Sequence, residues 1–263
     1  MKVGRLKAKV VSLEDVTLPE RAKMFRLYKR YYANSDRDKF QKDLLGKDKV
    51  ILLHSIKDNE LQGFSTLKHV TLTLSNGKDV RGIFSGDTII EKAYWGDKAL
   101  NMAFSLYLFK EKYKRPFDPL YWFLISKGFK TYLLLANNFP NYYPSVDCET
   151  PPEMAEIMDN FSFSNFPKAY NKERKTLSFG SGYDHLKSSV APIDDDLISR
   201  NKKVAYFVEK NPNWQLGEEL VCLGVFNWKV PAAVVVKIIK NMGRKITKSF
   251  GDFSFGFLSR KRS

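Results

Sequence analysis

The chain of 263 residues is 43% hydrophobic and 14% aromatic, which is enough apolar material for the core of one large domain or two small ones. Its 44 Lys and Arg against 29 Asp and Glu leave a net charge of +15, which attracts nucleic acid, an anionic membrane surface, an acidic carrier protein or a phosphate-bearing cofactor. These numbers exclude a largely disordered chain, and no apolar run approaches the roughly 20 residues of a bilayer-spanning helix.

The N-terminal stretch MKVGRLKAKVV alternates charged and apolar residues, so it predicts a first strand rather than a signal peptide. Neither the two cysteines nor the three histidines have a short metal-binding spacing, and we predict no metal site. Two cysteines also provide no disulfide framework, which favours a reducing compartment. A cytoplasmic protein is therefore expected, with peripheral attachment to a membrane as the alternative.

The first half of the chain predicts the order strand, two helices, three strands, helix, strand. Thr17-Leu18-Pro19-Glu20 is a capping box with proline in the first turn, so a helix should follow it. Asn76-Gly77 between two apolar runs is typical of a hairpin. After the first helix, the pattern predicts a helix over 36–45, strands over 49–56, 61–74 and 80–90, a helix from Ala99 that ends before Pro116, and a buried strand over 120–125.

The second half of the chain is less regular, and residues 127–138 fit either a helix or a strand. Prolines at 140, 144, 151 and 152 mark a boundary, so we predict two regions, 1–145 and 146–263. The pattern predicts the following in the second region: a helix over 152–160, an aromatic loop with Phe161, Phe163, Phe166 and Tyr170, a glycine turn over 180–182, and strands over 204–208 and 220–225.

The end of the chain is strongly basic. Residues 229–263 hold nine Lys and Arg against Asp252 alone. As a helix from Pro231, this stretch would place Val234, Ile238 and Met242 on one face and lysines on the other. Such a helix suits an anionic membrane or an acidic carrier, and the alternative is a domain helix with a solvated basic face.

The stretch SGDTIIEKAYWGDKAL, residues 85–100, runs from a strand through a loop with one glycine into a helix. Helix N-termini bind phosphate because their first N–H groups are unpaired and the helix dipole is positive there. Gly96 would let the backbone approach an anion closely, and Lys98 would add a positive charge. An ordinary turn is the alternative.

Together with the element order of about residues 1–140, this stretch resembles the GNAT superfamily of acyl-CoA-dependent N-acyltransferases. In that family a loop of the form R/Q-x-x-G-x-G/A follows a strand, binds the pyrophosphate of the donor and opens the next helix. Gly96 falls on the first loop glycine, while Lys98 and Leu100 replace the second glycine and the last small residue. The resemblance implies a mixed central sheet flanked by helices, an α/β (α+β) fold with an additional C-terminal α/β region, and a helix with Met102, Ala103 and Leu106 inward.

The resemblance also implies acyl-CoA or an acyl carrier protein as cosubstrate, an amine as acceptor, and no tightly bound cofactor. The carrier protein is included because a GNAT-like branch that makes N-acyl amino acids uses it, and an acidic carrier suits the positive charge. Segments 126–132, 137–144 and 211–223 resemble bacterial GNAT-like proteins further. The donor-binding candidates are Ile89, Ile90, Tyr94, Trp95, Gly96, Asp97, Lys98 and Ala99.

Acyl transfer to an amine needs a base for the amine proton and an acid for the leaving thiolate. Asp87 and Glu91 on the motif strand are the candidate bases, and solvent-facing strand acids are the alternative interpretation. Tyr142 and Tyr143 are the candidate acids because the family's tyrosine lies late in the fold, although both could simply be packing residues.

Two further groups have reactive side chains. Asp184-His185 follows a glycine turn and could supply a base, but adjacent side chains usually point apart, so a surface turn is the alternative. Cys148 and Cys222 could carry an acyl group, although Cys222 lies in an apolar run and is expected to be an inert core thiol.

Two functions from different classes remain open. The first is an N-acyltransferase, for which the aromatic residues of 151–170 favour a fatty acyl chain over acetyl. The second is a noncatalytic binding protein on a GNAT-derived scaffold, with the basic C-terminal region bound to nucleic acid or to an anionic membrane. The chain has no recognised nucleic-acid motif, and the sequence favours the enzyme.

Overall fold

The computed structural model describes residues 5–180, 185, 186 and 192–227. The helices are α1 (Leu18–Tyr31), α2 (Arg37–Leu45), α3 (Ala99–Lys114), α4 (Phe129–Asn138), α5 (Pro152–Asn165), α6 (Asp195–Arg200) and α7 (Lys202–Lys210). The strands are β1 (Leu6–Ser12), β2 (Tyr32–Ala33), β3 (Lys49–Ser55), β4 (Leu61–Thr73), β5 (Asp79–Ile90), β6 (Leu120–Ser126), β7 (Tyr142–Tyr143), β8 (Tyr170–Asn171), β9 (Thr176–Leu177), β10 (His185–Leu186) and β11 (Glu219–Phe226).

The central sheet has the order β1-β3-β4-β5-β6-β11-β9-β8, with β7 also paired to β11. Neighbouring strands are antiparallel except β5 and β6, which are parallel. The predicted fold class, a mixed central sheet flanked by helices, is confirmed. β11 comes from the second predicted region and pairs directly with β6, while the predicted division at residue 145 stays a prediction.

Helices cover both faces of the sheet. On one face, α1 and α2 pack over Phe64 and Ile89, and α5 packs over Val70 and Phe84. α3 and α4 lie on the opposite face, where Phe104 of α3 contacts the indole of Trp122 with ring centroids 4.9 Å apart. The face under α1, α2 and α5 therefore carries two core clusters, one around Phe64 and Ile89 and the other around Val70 and Phe84.

Most of the predicted elements are present, and α1 begins with the predicted capping box between Thr17 and Glu20. The ambiguous stretch 127–138 forms α4. The predicted strand over 204–208 is wrong, because those residues lie in α7, where the side chain of Asn201 caps the helix and Val204 and Phe207 are buried. The aromatic loop is shorter than predicted, since α5 extends to Asn165.

The orientation of α3 differs from the prediction. Met102 and Leu106 are each 63% exposed, so the expectation that they point inward is wrong. Leu100, Tyr107 and Leu108 are buried instead, because this spacing repeats along one side of a helix. Ala103 lies at the edge of that side and is half-buried.

Several predictions fall on residues that the structure does not describe: the basic segment 229–263, Asp184, the side chain of His185 and most of the glycine turn. Among the described residues, no helix is both long enough and apolar enough to cross a bilayer. The same residues contain no cluster of three or more His, Cys, Asp or Glu that could hold a metal ion.

Candidate functional site

β5 and β6 separate before β5 ends. Their parallel pairing runs from Arg81 opposite Leu120 to Ser85 opposite Leu124. Beyond Ser85, β5 continues to Ile90 paired with β4. Loss of pairing between two adjacent parallel strands leaves a gap in the centre of the sheet.

A bulge in β5 lies at the start of this gap. Ser65 is opposite Thr88 and Leu67 is opposite Ser85, so Thr66 alone faces the two residues 86 and 87. An extra residue of this kind bends a strand and increases its twist. The bulge therefore accounts locally for the divergence of β5 from β6.

A cavity of about 720 Å³ lies at the gap, and residues from both faces of the sheet line it. Its volume is in the range of small-molecule binding sites. The wall includes Tyr28 and Tyr31 of α1, Phe84, Asp87 and Ile89 of β5, Trp122 and Ile125 of β6, and Lys130 of α4.

The loop between β5 and α3 forms one side of the cavity. Gly96 has a positive φ of 92°, which explains the glycine. The carboxylate of Asp97 accepts a hydrogen bond from the N–H of Ala99 at 2.7 Å and another from the N–H of Leu6 at 3.3 Å. Asp97 therefore already occupies part of the N-terminus of α3.

The next two N–H groups of α3 remain available to an anion. Within the part of the chain that the structure describes, the backbone N–H groups of Leu100 and Asn101 have no hydrogen-bond acceptor. Both residues line the cavity together with Lys98. Two unpaired N–H groups, the positive end of a helix dipole and an ammonium group suit the oxygens of a phosphate.

The start of α4 also borders the cavity and contacts this loop. The ammonium of Lys130 is 4.3 Å from the centroid of the Trp95 ring, and the indole N–H of Trp95 donates to the carbonyl of Ile90 at 2.8 Å. The ammonium of Lys127 lies 3.5 Å from the buried carboxylate of Glu219. Lysines therefore line the cavity on this side as well.

The structure brings seven of the predicted site residues to the cavity and leaves five outside it. The residues that line it are Asp87, Ile89, Ile90, Trp95, Gly96, Asp97 and Lys98. The residues that do not line it are Glu91, Tyr94, Ala99, Tyr142 and Tyr143. The role of each stays a prediction.

Glu91, one of the two candidate bases, is held by an ion pair and a hydrogen bond. Its carboxylate lies 2.6 Å from the guanidinium of Arg30 and accepts a hydrogen bond from the hydroxyl of Tyr31 at 2.9 Å. Burial and this hydrogen bond raise the pKa of Tyr31 to about 12. Asp87 lies at the bulge and lines the cavity, so it has the better position for contact with a substrate.

The two candidate acids lie in β7, which pairs with β11. Tyr142 is 5% exposed, and among the described residues its hydroxyl has no hydrogen-bond partner. Tyr143 packs against the core under α5, and burial raises its pKa. Cys222 is fully buried, and burial raises the pKa of its thiol to about 12, so the thiol is neutral near pH 7.

Sequence reasoning missed several of the residues that line the cavity. Tyr28, Tyr31 and Tyr32 recur at helical spacing, which indicates a core face rather than a site. Lys47 follows α2 and has no motif around it. The side chain of Lys47 lies beside Gly86 in the bulge of β5, and no local sequence signal predicts that bulge.

No protein-family model matches the sequence, and a comparison with curated proteins finds no match. Parts of the fold do match solved structures. A conserved Enterococcus faecalis protein, described as a probable N-acyltransferase, is 16% identical with a TM-score of 0.37, over 51% of this chain and 33% of that chain. This chain therefore spans about a third of the length of that protein.

Two further solved structures match more of their own length. Escherichia coli ElaA is 17% identical with a TM-score of 0.34, over 53% of this chain and 92% of that chain. Glucosamine-6-phosphate N-acetyltransferase from Arabidopsis thaliana is 11% identical with a TM-score of 0.29, over 41% and 75%. The resemblance predicted from the sequence is thus found among solved structures as a partial similarity of fold, which assigns no reaction.

Replacement of Gly96 by alanine tests the loop. A Cβ at residue 96 would meet no atom within 4 Å, so the change acts through backbone strain at positive φ. We expect the free energy of unfolding to fall by about 1 kcal/mol in urea denaturation. Gly77→Ala is the matched control, because Gly77 also has positive φ and open space. Only Gly96→Ala should also weaken CoA binding, and equal CoA affinity in both variants would contradict a role of the loop.

Proposed function

We propose that the protein transfers an acyl group from a pantetheine thioester, carried by CoA or by an acyl carrier protein, to an amine. The observation that carries this proposal is the gap between β5 and β6 beyond Ser85 and Leu124, which lies at the cavity. An extended chain can pair with a strand edge that has lost its neighbour. A pantetheine arm has the amide groups and the extended shape for such pairing.

The donor phosphates would bind at the N-terminus of α3. The N–H groups of Leu100 and Asn101 and the ammonium of Lys98 support this placement, as does the ammonium of Lys130 beside Trp95. Because Asp97 already accepts the N–H of Ala99, the phosphates would lie further along α3 than the loop glycine alone predicts. Tyr94 and Ala99 would then contribute to donor binding only through the shape of the loop.

Asp87 is the proposed base of the reaction. An amine must lose a proton before its nitrogen attacks the thioester carbonyl, and a carboxylate in the cavity can accept that proton. The nitrogen–carbon bond then forms, and the tetrahedral intermediate breaks its carbon–sulfur bond. The thiolate leaves and is protonated, so the products are an amide and a free thiol.

The residues that line the cavity favour an acyl group longer than acetyl. Aromatic residues Phe84, Phe166 and Phe179 line it, and its volume is about 720 Å³. Apolar surface of this extent would favour transfer of an acyl chain from water.

The net charge of +15 supports an acidic carrier protein as the donor, since opposite charges accelerate encounter.

Incubation with a panel of thioesters tests the proposal. Acetyl-, octanoyl- and palmitoyl-CoA and the matching acyl carrier thioesters would each be offered with a mixture of amines. We expect mass spectrometry to detect an amide product and release of free thiol. If no thioester binds, the proposal fails. Salt-sensitive binding to DNA, RNA or anionic liposomes without thioester binding would support the noncatalytic alternative instead.

A further inference from the structure

The side of α3 that points away from the sheet carries large apolar side chains. Met102 and Leu106 are each 63% exposed, and Tyr113 is 79% exposed. With Lys110 they are spaced three or four residues apart, so all four lie along one side of the helix. They form the outer face of α3, which is about 16 Å long between Met102 and Tyr113. Phe117, which follows the helix, is 96% exposed.

Such a face is unusual for a helix that packs on a sheet. The outward side of such a helix normally carries polar residues, and a cluster of exposed apolar side chains marks an interaction site. Among the described residues, nine large hydrophobic side chains are exposed, and four of them lie between residues 102 and 117. Methionine and aromatic residues are also enriched at the centres of protein–protein interfaces. The outer face of α3 therefore indicates contact with another molecule.

The charges around the outer face are mostly positive. Lys110 and Lys114 of α3 and Arg115 after it are exposed. Between residues 99 and 118 the acids are Asp118 and Glu111, and the side chain of Glu111 is 6% exposed. An apolar centre with a basic surround fits a partner that has an acidic surface.

The outer face begins beside the proposed phosphate site. The N–H groups of Leu100 and Asn101 are the proposed phosphate contacts, and Met102 is the next residue of α3. Leu106 lies about one helical turn further along. In an acyl carrier protein the phosphate of the pantetheine arm is esterified to a serine, so the carrier must contact the residues around that phosphate. In CoA a single nucleotide follows this phosphate, whereas a carrier protein can cover the whole face.

We infer that the outer face of α3 binds the body of an acidic acyl carrier protein, an inference that rests on the proposed acyltransferase function. Met102 and Leu106 would contact apolar side chains of the carrier, and Lys110 would pair with its carboxylates. An anionic membrane also suits apolar and basic side chains together, but it does not explain why they start beside the proposed phosphate contacts. CoA would bind through the phosphate and pantetheine contacts alone.

Binding of two donors with the same acyl group tests the inference without turnover. Calorimetric titration would compare octanoyl-acyl carrier protein with octanoyl-CoA. Leu106→Glu and Lys110→Glu each place a negative charge on the outer face, so each should weaken binding of the carrier about tenfold or more. Their affinity for octanoyl-CoA should stay within about twofold of that of the natural protein. Leu45→Glu is the matched control, because Leu45 of α2 is also 63% exposed and α2 lies on the other face of the sheet.

Thermal unfolding, sedimentation and vesicle binding are measured on the same variants. Their melting temperatures should match that of the natural protein, because substitutions of exposed side chains have little effect on stability. Octanoyl-CoA binding without carrier binding, or carrier binding that both variants retain, would overturn only the docking inference. Unchanged carrier binding with loss of phosphatidylserine vesicle binding or of a dimer in Leu106→Glu would also overturn it and assign the face to a membrane or to a second copy. If neither donor binds, the acyltransferase proposal itself fails.

Discussion

Asp87→Asn is expected to lower the rate of acyl transfer about 100- to 10,000-fold, which is the usual contribution of a general base. Asparagine has the size of aspartate and cannot accept the amine proton. CoA affinity should not change, because the proposed phosphate contacts lie at the start of α3 and not at the bulge. The rate of thiol release at saturating donor and acceptor measures the effect.

The pH dependence of the Asp87→Asn variant gives a second readout. Without a base, only acceptor molecules that are already neutral can react, so the rate should rise about tenfold per pH unit below the amine pKa. Glu91→Gln is the matched control, because Glu91 is paired with Arg30 and does not line the cavity. A large loss in Glu91→Gln with an active Asp87→Asn would assign the base to Glu91.

Local sequence signals were sufficient for most of the fold. The capping box at Thr17 and the turn at Asn76-Gly77 have their effect within a few residues, and both structures are present. Reliance on local signals also explains why the residues of α7 were predicted to form a strand. Val204 and Val208 favour a strand by their branching, but the cap at Asn201 and the burial of Val204 and Phe207 on one side favour a helix.

Only part of the candidate site could be predicted from the sequence. The loop from Trp95 to Lys98 could be predicted because strand, glycine and helix follow one another in the chain. Lys47 and Thr66 are distant in sequence from that loop: Thr66 lies opposite Gly86 through the register of β4 and β5, and Lys47 approaches Gly86 from the connection between α2 and β3. The carboxylate of Asp97 at the start of α3 was also unexpected, since its bond to Leu6 depends on the position of β1.

Ile125→Trp is expected to weaken the binding of CoA and acyl-CoA about 100-fold or more. Ile125 follows Leu124, the last residue of β6 that pairs with β5, and its side chain lines the cavity. An indole at this position would fill the gap in which the pantetheine arm is proposed to lie. Because the side chain borders a cavity, the larger ring should reduce stability less than overpacking of a closed core, which costs about 1–3 kcal/mol.

Ile125→Leu keeps the volume of the side chain and is the control for this variant. Calorimetric titration with CoA measures affinity, and thermal unfolding of both variants separates loss of the site from loss of the fold. The backbone pairing of Ile125 with Val221 of β11 does not involve the side chain, so the sheet should persist in both. If Ile125→Trp binds CoA as well as Ile125→Leu does, the donor does not pass between β5 and β6.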